Sequence, residues 1–191
     1  MPKTSFEFEV STDKPKAIVD GPDYLAKPIA SFFRQKGLSV QTSITGQPTE
    51  PVDYIVDAEG NKNLINLAVE TGAKYLRLVV SGQPASYQEN INWRVIQTDF
   101  VVGPDIPSST LMGSLIKSSI QNRPLEMPQS DKKFYPVHVN DLADACWRSL
   151  IRPNTSKKQF LVIGDEVSSQ RLGTYLENLG RTTKGIQTSP E

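Results

Sequence analysis

The stretch 17-AIVDGPDYLA-26 decides how the chain begins to fold. A short apolar run, Ala17–Val19, leads into a tight turn and then into a helix-like segment. In doubly wound α/β proteins the turn after the first strand is the place where a dinucleotide phosphate binds. Here two turn positions, Asp20 and Asp23, carry carboxylates, and only Gly21 is a glycine. The stretch therefore raises the question whether this loop still binds a cofactor.

Composition narrows the class of protein. The 191 residues suit one domain that can bury a real core. The 21 basic and 21 acidic side chains balance, so we expect no nucleic-acid partner. No apolar run approaches a membrane span, and the first ten residues lack the apolar core of a secretory signal. One Cys and one His argue against a disulfide framework and a zinc site. We expect a soluble, cytoplasmic globular protein that binds no metal.

Apolar periodicity predicts strands that alternate with helices. The predicted strands are KAIV, LSVQTSI, VDYIV, YLRLVV, WRVIQTDFVV with a break near Thr98, YPVHV and QFLVI. The predicted helices cover residues 29–36, 59–71, the segment from Leu111 to Ile120, the segment from Leu142 to Leu150 and the segment from Leu172 to Leu179, with Gly37, Gly72 and Gly180 as stops. This order predicts an α/β, Rossmann-like, doubly wound fold with a mostly parallel sheet.

The domain organisation is predicted from the same pattern. Residues 14–106 form the Rossmann-like core, and residues 107–180 complete the sheet and add a small substrate-type region. Residues 181–191 are polar and are expected to fray. Residues 1–13 contain SFEFEV, in which Phe6, Phe8 and Val10 alternate with polar residues. We expect residues 1–13 to form an added strand or an arm, paired within the chain or with a neighbour.

Four later segments resemble one family in its own order. They are AEGNKNLINLAVETGAKYLRLVVSG, INWRVIQTDFVVGPDIP, FYPVHVNDLADACWRSL and FLVIGDEVSSQRLGTYLENLG. They are similar to the corresponding segments of extended short-chain dehydrogenase/reductases, in the NAD-dependent epimerase/dehydratase branch. That resemblance implies a Rossmann core that binds NAD(P) and a small C-terminal region that binds a nucleotide-sugar or a similar substrate.

The phosphate loop departs from this family. The family fingerprint VTGGTGFIGSHL falls on residues 18–29, so its three glycines correspond to Asp20, Asp23 and Ala26. A carboxylate about 4 Å from a phosphate costs on the order of 4 kcal/mol, roughly a thousandfold in affinity. Asp23 has a structural interpretation as the N-cap of the helix. The resemblance assigns the cofactor-binding role to a degenerate loop formed by Asp20, Gly21, Asp23, Tyr24 and Leu25.

The ribose anchor of the family is missing as well. Dinucleotide sites use an acid after the second strand, or an Arg for a 2′-phosphate. Residues 38–48, LSVQTSITGQP, contain neither. Ser43 or Thr45 offers only a neutral hydrogen bond.

The catalytic pair of the family is incomplete. The resemblance places the family's Ser at Ser81 and its Tyr at Tyr87, but Ile91 stands four residues later, where the family has Lys. Without that Lys a tyrosine keeps a pKa near 10 and is a poor base at neutral pH. Tyr87 has a second interpretation as a surface-loop residue. The segment between Ser81 and Trp93 is also too short for the family's long helix.

Substrate contacts are assigned by resemblance to Gly103, Arg123 and His138. Each has a structural alternative: Gly103 shapes a turn, Arg123 is a solvated charge, and His138 is a packed or hydrogen-bonded residue. Asn140 and Asp141 are expected to cap the helix that follows.

These departures favour a degenerate NAD(P)-binding protein, a pseudoenzyme with a binding, assembly or regulatory role. We expect it to bind a protein partner, to form a homo-oligomer, or to bind a small-molecule or nucleotide ligand. No cofactor is expected, and NAD(P) is the one implied if any binds. The alternative is an NAD(P)-dependent epimerase or reductase acting on a nucleotide-sugar or a small carbonyl substrate. A third interpretation gives the two aspartates a cationic or hydroxyl-rich ligand.

Overall fold

The computed structural model describes residues 14–42, 51–83, 90–121, 123–124 and 133–186. In these ranges the strands are β1 (Lys16–Asp20), β2 (Ser39–Thr42), β3 (Tyr54–Asp57), β4 (Lys74–Val80), β5 (Trp93–Thr98), β6 (Phe100–Val102), β7 (Lys133–Phe134), β8 (Pro136–His138), β9 (Lys158–Leu161) and β10 (Val167–Ser168). The helices are α1 (Asp23–Gln35), α2 (Lys62–Thr71), α3 (Leu111–Ile120), α4 (Val139–Ile151) and α5 (Ser169–Ile186).

A six-stranded parallel sheet forms the centre, in the order β2-β1-β3-β4-β5-β9. The predicted α/β fold with a mostly parallel sheet is confirmed. The predicted break near Thr98 is confirmed too, since β5 ends at Thr98 and β6 leaves the sheet to pair with β8. Gly72 ends α2 in the left-handed conformation, with φ of 70°, as its residue type predicts.

Apolar side chains cover the two faces of the sheet in separate clusters. On one face α1 and α4 pack together over the sheet, and the T-shaped contact of Phe33 with Trp147 lies between them. On the other face α2 packs through Leu64 and Leu67 against Ile55 and Tyr75. The helices thus lie on both faces, as the doubly wound arrangement requires.

Helices α3 and α5 and strands β7 and β10 form a smaller unit beside the sheet. Helices α3 and α5 pack against each other, and β10 pairs antiparallel with β7. The prediction that Gly180 ends the last helix was wrong, because α5 continues to Ile186. A single glycine costs a helix interior only about 1 kcal/mol, so it does not stop a helix by itself.

Several predictions concern residues outside the described ranges: the SFEFEV segment, Ser43, Thr45 and Tyr87. Within the described ranges, no helix is both long and apolar enough to cross a membrane.

Candidate functional site

The candidate site is the edge of the sheet where the parallel strands end. In open α/β sheets ligands bind outside these carboxyl ends, where neighbouring strands connect in opposite directions. Here that point lies between β1, which continues through α1 to β2, and β3, which continues through α2 to β4. The residues at this point are Asp20 and Asp57, which end β1 and β3, and Gly21 and Ala58, which follow them.

The turn after β1 lies directly against the chain that follows β3. The Ala58 N–H donates to the Asp20 carbonyl oxygen at 2.8 Å. Gly21 has φ of 151°, and a Cβ at this position would lie 2.6 Å from the Ala58 Cβ. Only glycine fits both the backbone conformation and this close approach. Gly21 therefore keeps one function of the fingerprint glycines, the tight turn.

The expected cap at Asp23 was wrong. The N-cap of α1 is Pro22, which makes no side-chain hydrogen bond to the helix. Asp23 is the first helical residue, and its carboxylate accepts a hydrogen bond from the Lys27 ammonium at 2.7 Å. Because i and i+4 are neighbours on a helix surface, Lys27 is the closest partner available. This pairing raises the pKa of Lys27.

Asp20 contributes a second carboxylate to the same turn. Its Oδ2 accepts a hydrogen bond from the Asn61 side-chain amide at 3.2 Å. Asn61 is also the N-cap of α2, where its Oδ1 accepts from the Asn63 N–H at 3.0 Å. One amide side chain therefore links the β1 turn to the start of α2.

The remaining loop candidates, Tyr24 and Leu25, contact the hydrophobic core. Leu25 is buried in the cluster under α1, and Tyr24 is half-buried against the same cluster. Burial raises the pKa of Tyr24.

The most connected residue of this edge is Asp57, which the sequence patterns did not predict as a site residue. Its side chain is fully buried. Oδ1 accepts the N–H groups of Glu59 at 3.0 Å and Gly60 at 2.6 Å, and Oδ2 accepts the Tyr75 hydroxyl at 2.6 Å. The Arg77 guanidinium lies 3.4 Å away. The available signal was a carboxylate placed immediately after the buried run YIV, which a folded core accepts only with several partners.

Ser81 stands at the end of β4, as its match to the family predicts. It is exposed, adopts φ of 53°, and its N–H donates to the Thr98 carbonyl at 2.9 Å. Its hydroxyl donates to the Asp99 carbonyl. The role expected for Tyr87 concerns a residue outside the described ranges.

The three substrate candidates do not share one set of contacts. Gly103 lies against Val139, whose Cγ1 would be 2.7 Å from an added Cβ. The exposed Arg123 follows α3, and its N–H donates to the Ser118 carbonyl at 2.8 Å. His138 is exposed, and its Nδ1 accepts the Asn140 N–H at 3.2 Å.

That last contact corrects one expectation. His138 is the N-cap of α4, whereas Asn140 and Asp141 lie inside the helix. The hydrogen-bonded interpretation of His138 is the one that agrees with its contacts.

Gln97, in β5, donates to the Gly82 carbonyl at 2.7 Å and accepts from the Gln159 amide at 2.9 Å. Among the residues of the edge, Lys27 and Arg77 are each paired with a carboxylate of this chain. The carboxylates of Asp20 and Asp23 at the β1 turn are unfavourable beside a pyrophosphate. The described residues also contain no cluster of His, Cys, Asp and Glu that could hold a metal ion.

The fold and the position of this edge define a Rossmann-like α/β protein. The sequence matches no family model and no curated protein.

Solved structures do share the fold. UDP-glucose 4-epimerase from Thermus thermophilus, in complex with NAD, superposes with a TM-score of 0.61 at 12% identity, over 92% of this chain and 85% of that one. A dTDP-glucose 4,6-dehydratase from Bacillus anthracis gives 0.66 at 10% identity, over 86% and 80%. The enzyme WbmF from Bordetella bronchiseptica, in complex with NAD+ and UDP, gives 0.63 at 13% identity, over 93% and 80%. The predicted resemblance to NAD-dependent epimerases and dehydratases is confirmed at the level of the fold.

Proposed function

We propose that this chain is a non-catalytic Rossmann-like protein, in which the epimerase/dehydratase fold serves a binding, assembly or regulatory role. One observation carries the proposal: the Asp20 carboxylate, held by Asn61, lies at the end of β1 beside the point where the strand connections reverse. A fixed negative charge there opposes a pyrophosphate. Asp23 adds a second carboxylate in the first turn of α1.

The loss of NAD(P)H affinity that these carboxylates cause can be calculated to an order of magnitude. One carboxylate about 4 Å from a phosphate weakens binding by roughly a thousandfold at an effective dielectric of about 20. The exposed Asp23 contributes less than Asp20, because solvent screens it and Lys27 pairs with it. We therefore expect NAD(P)H to bind with a dissociation constant above about 1 mM.

Calorimetry with NAD+, NADH, NADP+ and NADPH tests this expectation. A dissociation constant in the low micromolar range for any of the four would overturn the proposal. The double variant Asp20→Asn/Asp23→Asn removes both charges and keeps the side-chain shapes. It should bind NADH at least about tenfold more tightly than the natural chain. Glu70→Gln is the matched control, because it removes an exposed charge from the last turn of α2 and should change nothing.

The second candidate is an NAD(P)-dependent epimerase or reductase for a nucleotide-sugar or a small carbonyl substrate. It is favoured by the position of Ser81 at the end of β4, which is where the family carries its Ser. Steady turnover of such a substrate with NAD(P)H, lost in Ser81→Ala, would establish it.

A further inference from the structure

Two adjoining cavities open on the surface beside α1 and α3. The first has a volume of about 770 Å³ and runs along the outer face of α1, where its lining includes Asp23, Tyr24, Lys27 and Pro28. The second has a volume of about 510 Å³ and lies between the loop after β6 and α3. Asp105, in that loop, lines both cavities. Each volume falls within the range of roughly 300 to 1,000 Å³ that small-molecule sites occupy.

Pro28 leaves a backbone acceptor at the first cavity. Because proline has no N–H, the Tyr24 carbonyl lacks the donor that residue i+4 supplies elsewhere in a helix. Tyr24 and Pro28 are i and i+4 on one face of α1, and both line the cavity. A carbonyl in this position takes its hydrogen bond from water or from a ligand that carries a donor.

The charged lining residues of the first cavity are Asp23, Lys27 and Asp105. The hydrogen bond from Lys27 to Asp23 raises the pKa of Lys27, and the charge of Asp105 raises it further, so both carboxylates act on the same ammonium group. Asp105 is exposed, and within the described ranges no Lys or Arg forms an ion pair with it. Lys27 offsets one of the two negative charges. The cavity therefore keeps one net negative charge, which favours a ligand with one positive charge.

The second cavity adds apolar surface next to this charge. Ile106, Ile116 and Ile120 line it, and Ile116 and Ile120 are i and i+4 on one face of α3. Ile120 is 48% exposed. A hydrocarbon chain lying here would remove this surface from water, and each buried CH2 group strengthens binding by about fourfold.

We propose that the two cavities form one binding site for a small aliphatic amine. The ammonium group of the ligand donates to the Asp105 carboxylate and to the Tyr24 carbonyl, and its hydrocarbon chain lies against Ile116 and Ile120. An ammonium group has three N–H donors, so it can also share the Asp23 carboxylate with Lys27. This inference does not depend on the proposed function, because Asp20, Gly21, Asp57 and Ala58 line neither cavity.

Calorimetry with octylamine as the probe tests the site. Octylamine should bind saturably. Octyltrimethylammonium has the same charge and chain but no N–H, and it should bind at least about tenfold more weakly. Octanoate has the opposite charge and could pair only with a cation such as Lys117 at the second cavity, so it should be weaker still. No saturable binding of octylamine, or equal binding of either control compound, would overturn the proposal.

The variant Asp105→Asn removes the charge and keeps the loop. Asp105 has φ of 60°, in the left-handed region that Asn adopts as readily as Asp. Octylamine should bind this variant at least about tenfold more weakly than the natural chain. Asp165→Asn, which removes an exposed charge outside both cavities, is the control and should leave binding unchanged. Unchanged affinity in Asp105→Asn would refute the assignment.

Pro28→Ala separates binding from stability. It restores the N–H that the Tyr24 carbonyl lacks, so the thermal unfolding temperature should rise. Octylamine affinity should nevertheless fall several-fold, because the helix then occupies the acceptor. If stability rises and affinity does not change, the Tyr24 carbonyl is not part of the site.

Chain length tests the apolar half of the site. Octylamine should bind the natural chain at least about tenfold more tightly than butylamine does. Ile120→Gln should remove most of that gain. Leu111→Gln, at an exposed position of the same helix that does not line the cavity, should keep it. Equal affinity of the two amines for the natural chain would show that the second cavity does not hold the hydrocarbon chain.

Discussion

Two aspartates lie at the ends of neighbouring strands, at the same level of the sheet, and their carboxylates have different surroundings. Asp20 and Asp57 are register partners at the ends of β1 and β3. Asp57 is fully buried and is bonded to two backbone N–H groups, a tyrosine hydroxyl and an arginine. Asp20 is half-buried, and its carboxylate accepts one side-chain amide at 3.2 Å.

The difference shows how one residue type acquires two roles. A buried carboxylate is tolerated only when its oxygens are satisfied, so the Asp57 network organises the loop that leads into α2. A partly exposed carboxylate keeps contact with solvent, so Asp20 needs fewer protein partners and leaves a negative charge at the end of β1.

The largest effect is expected from Asp57→Ala. It removes the carboxylate that accepts the Tyr75 hydroxyl and two backbone N–H groups and that pairs with the Arg77 guanidinium, and should lower the free energy of unfolding by about 3 to 5 kcal/mol. Arg77 keeps its 2.9 Å hydrogen bond to the carbonyl of residue 57. Asp20→Ala should change it by less than about 0.5 kcal/mol. Urea denaturation of both variants measures the contrast. Equal losses of unfolding free energy in the two variants would show that the two carboxylates stabilise the fold to the same extent.

The contact between the two turns gives the next largest effect. Gly21→Ala places a methyl group 2.6 Å from the Ala58 Cβ at a φ that disfavours side chains, and should cost about 2 kcal/mol. Adding Ala58→Gly should recover about half of that loss, because it removes the clash and leaves the backbone strain. Strictly additive losses in thermal unfolding would mean that the two turns do not touch.

Asn61 links the turn after β1 to the start of α2. The variant Asn61→Ala measures how much this link contributes to the free energy of unfolding. Loss of the α2 cap should cost about 1 kcal/mol, and loss of the bond to Asp20 should add about 0.5 kcal/mol. His138→Ala is the matched control, since His138 caps α4 by accepting the Asn140 N–H at 3.2 Å. If both variants lose the same stability, the Asn61–Asp20 bond contributes nothing measurable.

The smallest effect concerns Thr98, at the end of β5. Within the described residues its hydroxyl is buried and has no hydrogen-bond partner. Thr98→Val removes an unsatisfied group and should raise the free energy of unfolding by about 0.5 to 1 kcal/mol. The control Thr155→Val should lower it, because the Thr155 hydroxyl donates to Arg152 and accepts from Arg94. Destabilisation by Thr98→Val would reveal a partner for that hydroxyl.

Much of the fold was predictable from local pattern. The apolar runs of β1, β3, β4 and β5 and the glycine stop at Gly72 are short-range signals, and each predicted its element. The end of α5 was not predictable in this way. A single glycine such as Gly180 costs a helix interior only about 1 kcal/mol, so glycine alone does not fix where a helix ends.

The site was predictable only in part. The turn after β1, its two aspartates and the position of Ser81 follow from order along the chain. The partners of those residues do not. Asp23 bonds Lys27 rather than the helix N–H groups, and His138, rather than Asn140, caps α4. A cap depends on where the first helical turn begins, and local residue preference sets that boundary only to within one or two residues.

The sequence by itself determined the alternation of strands and helices, because burial imposes periods of 2 and 3.6 residues on the chain. It also determined which charges stand at the turn after β1. Only the tertiary structure decided that Asp57 lies buried beside Tyr75 while its register partner Asp20 faces the candidate site. The reason is that Asp57 and Tyr75 are 18 residues apart, and Asp20 and Asn61 are 41 apart. Contacts across such separations arise from strand order and register, which no local pattern specifies.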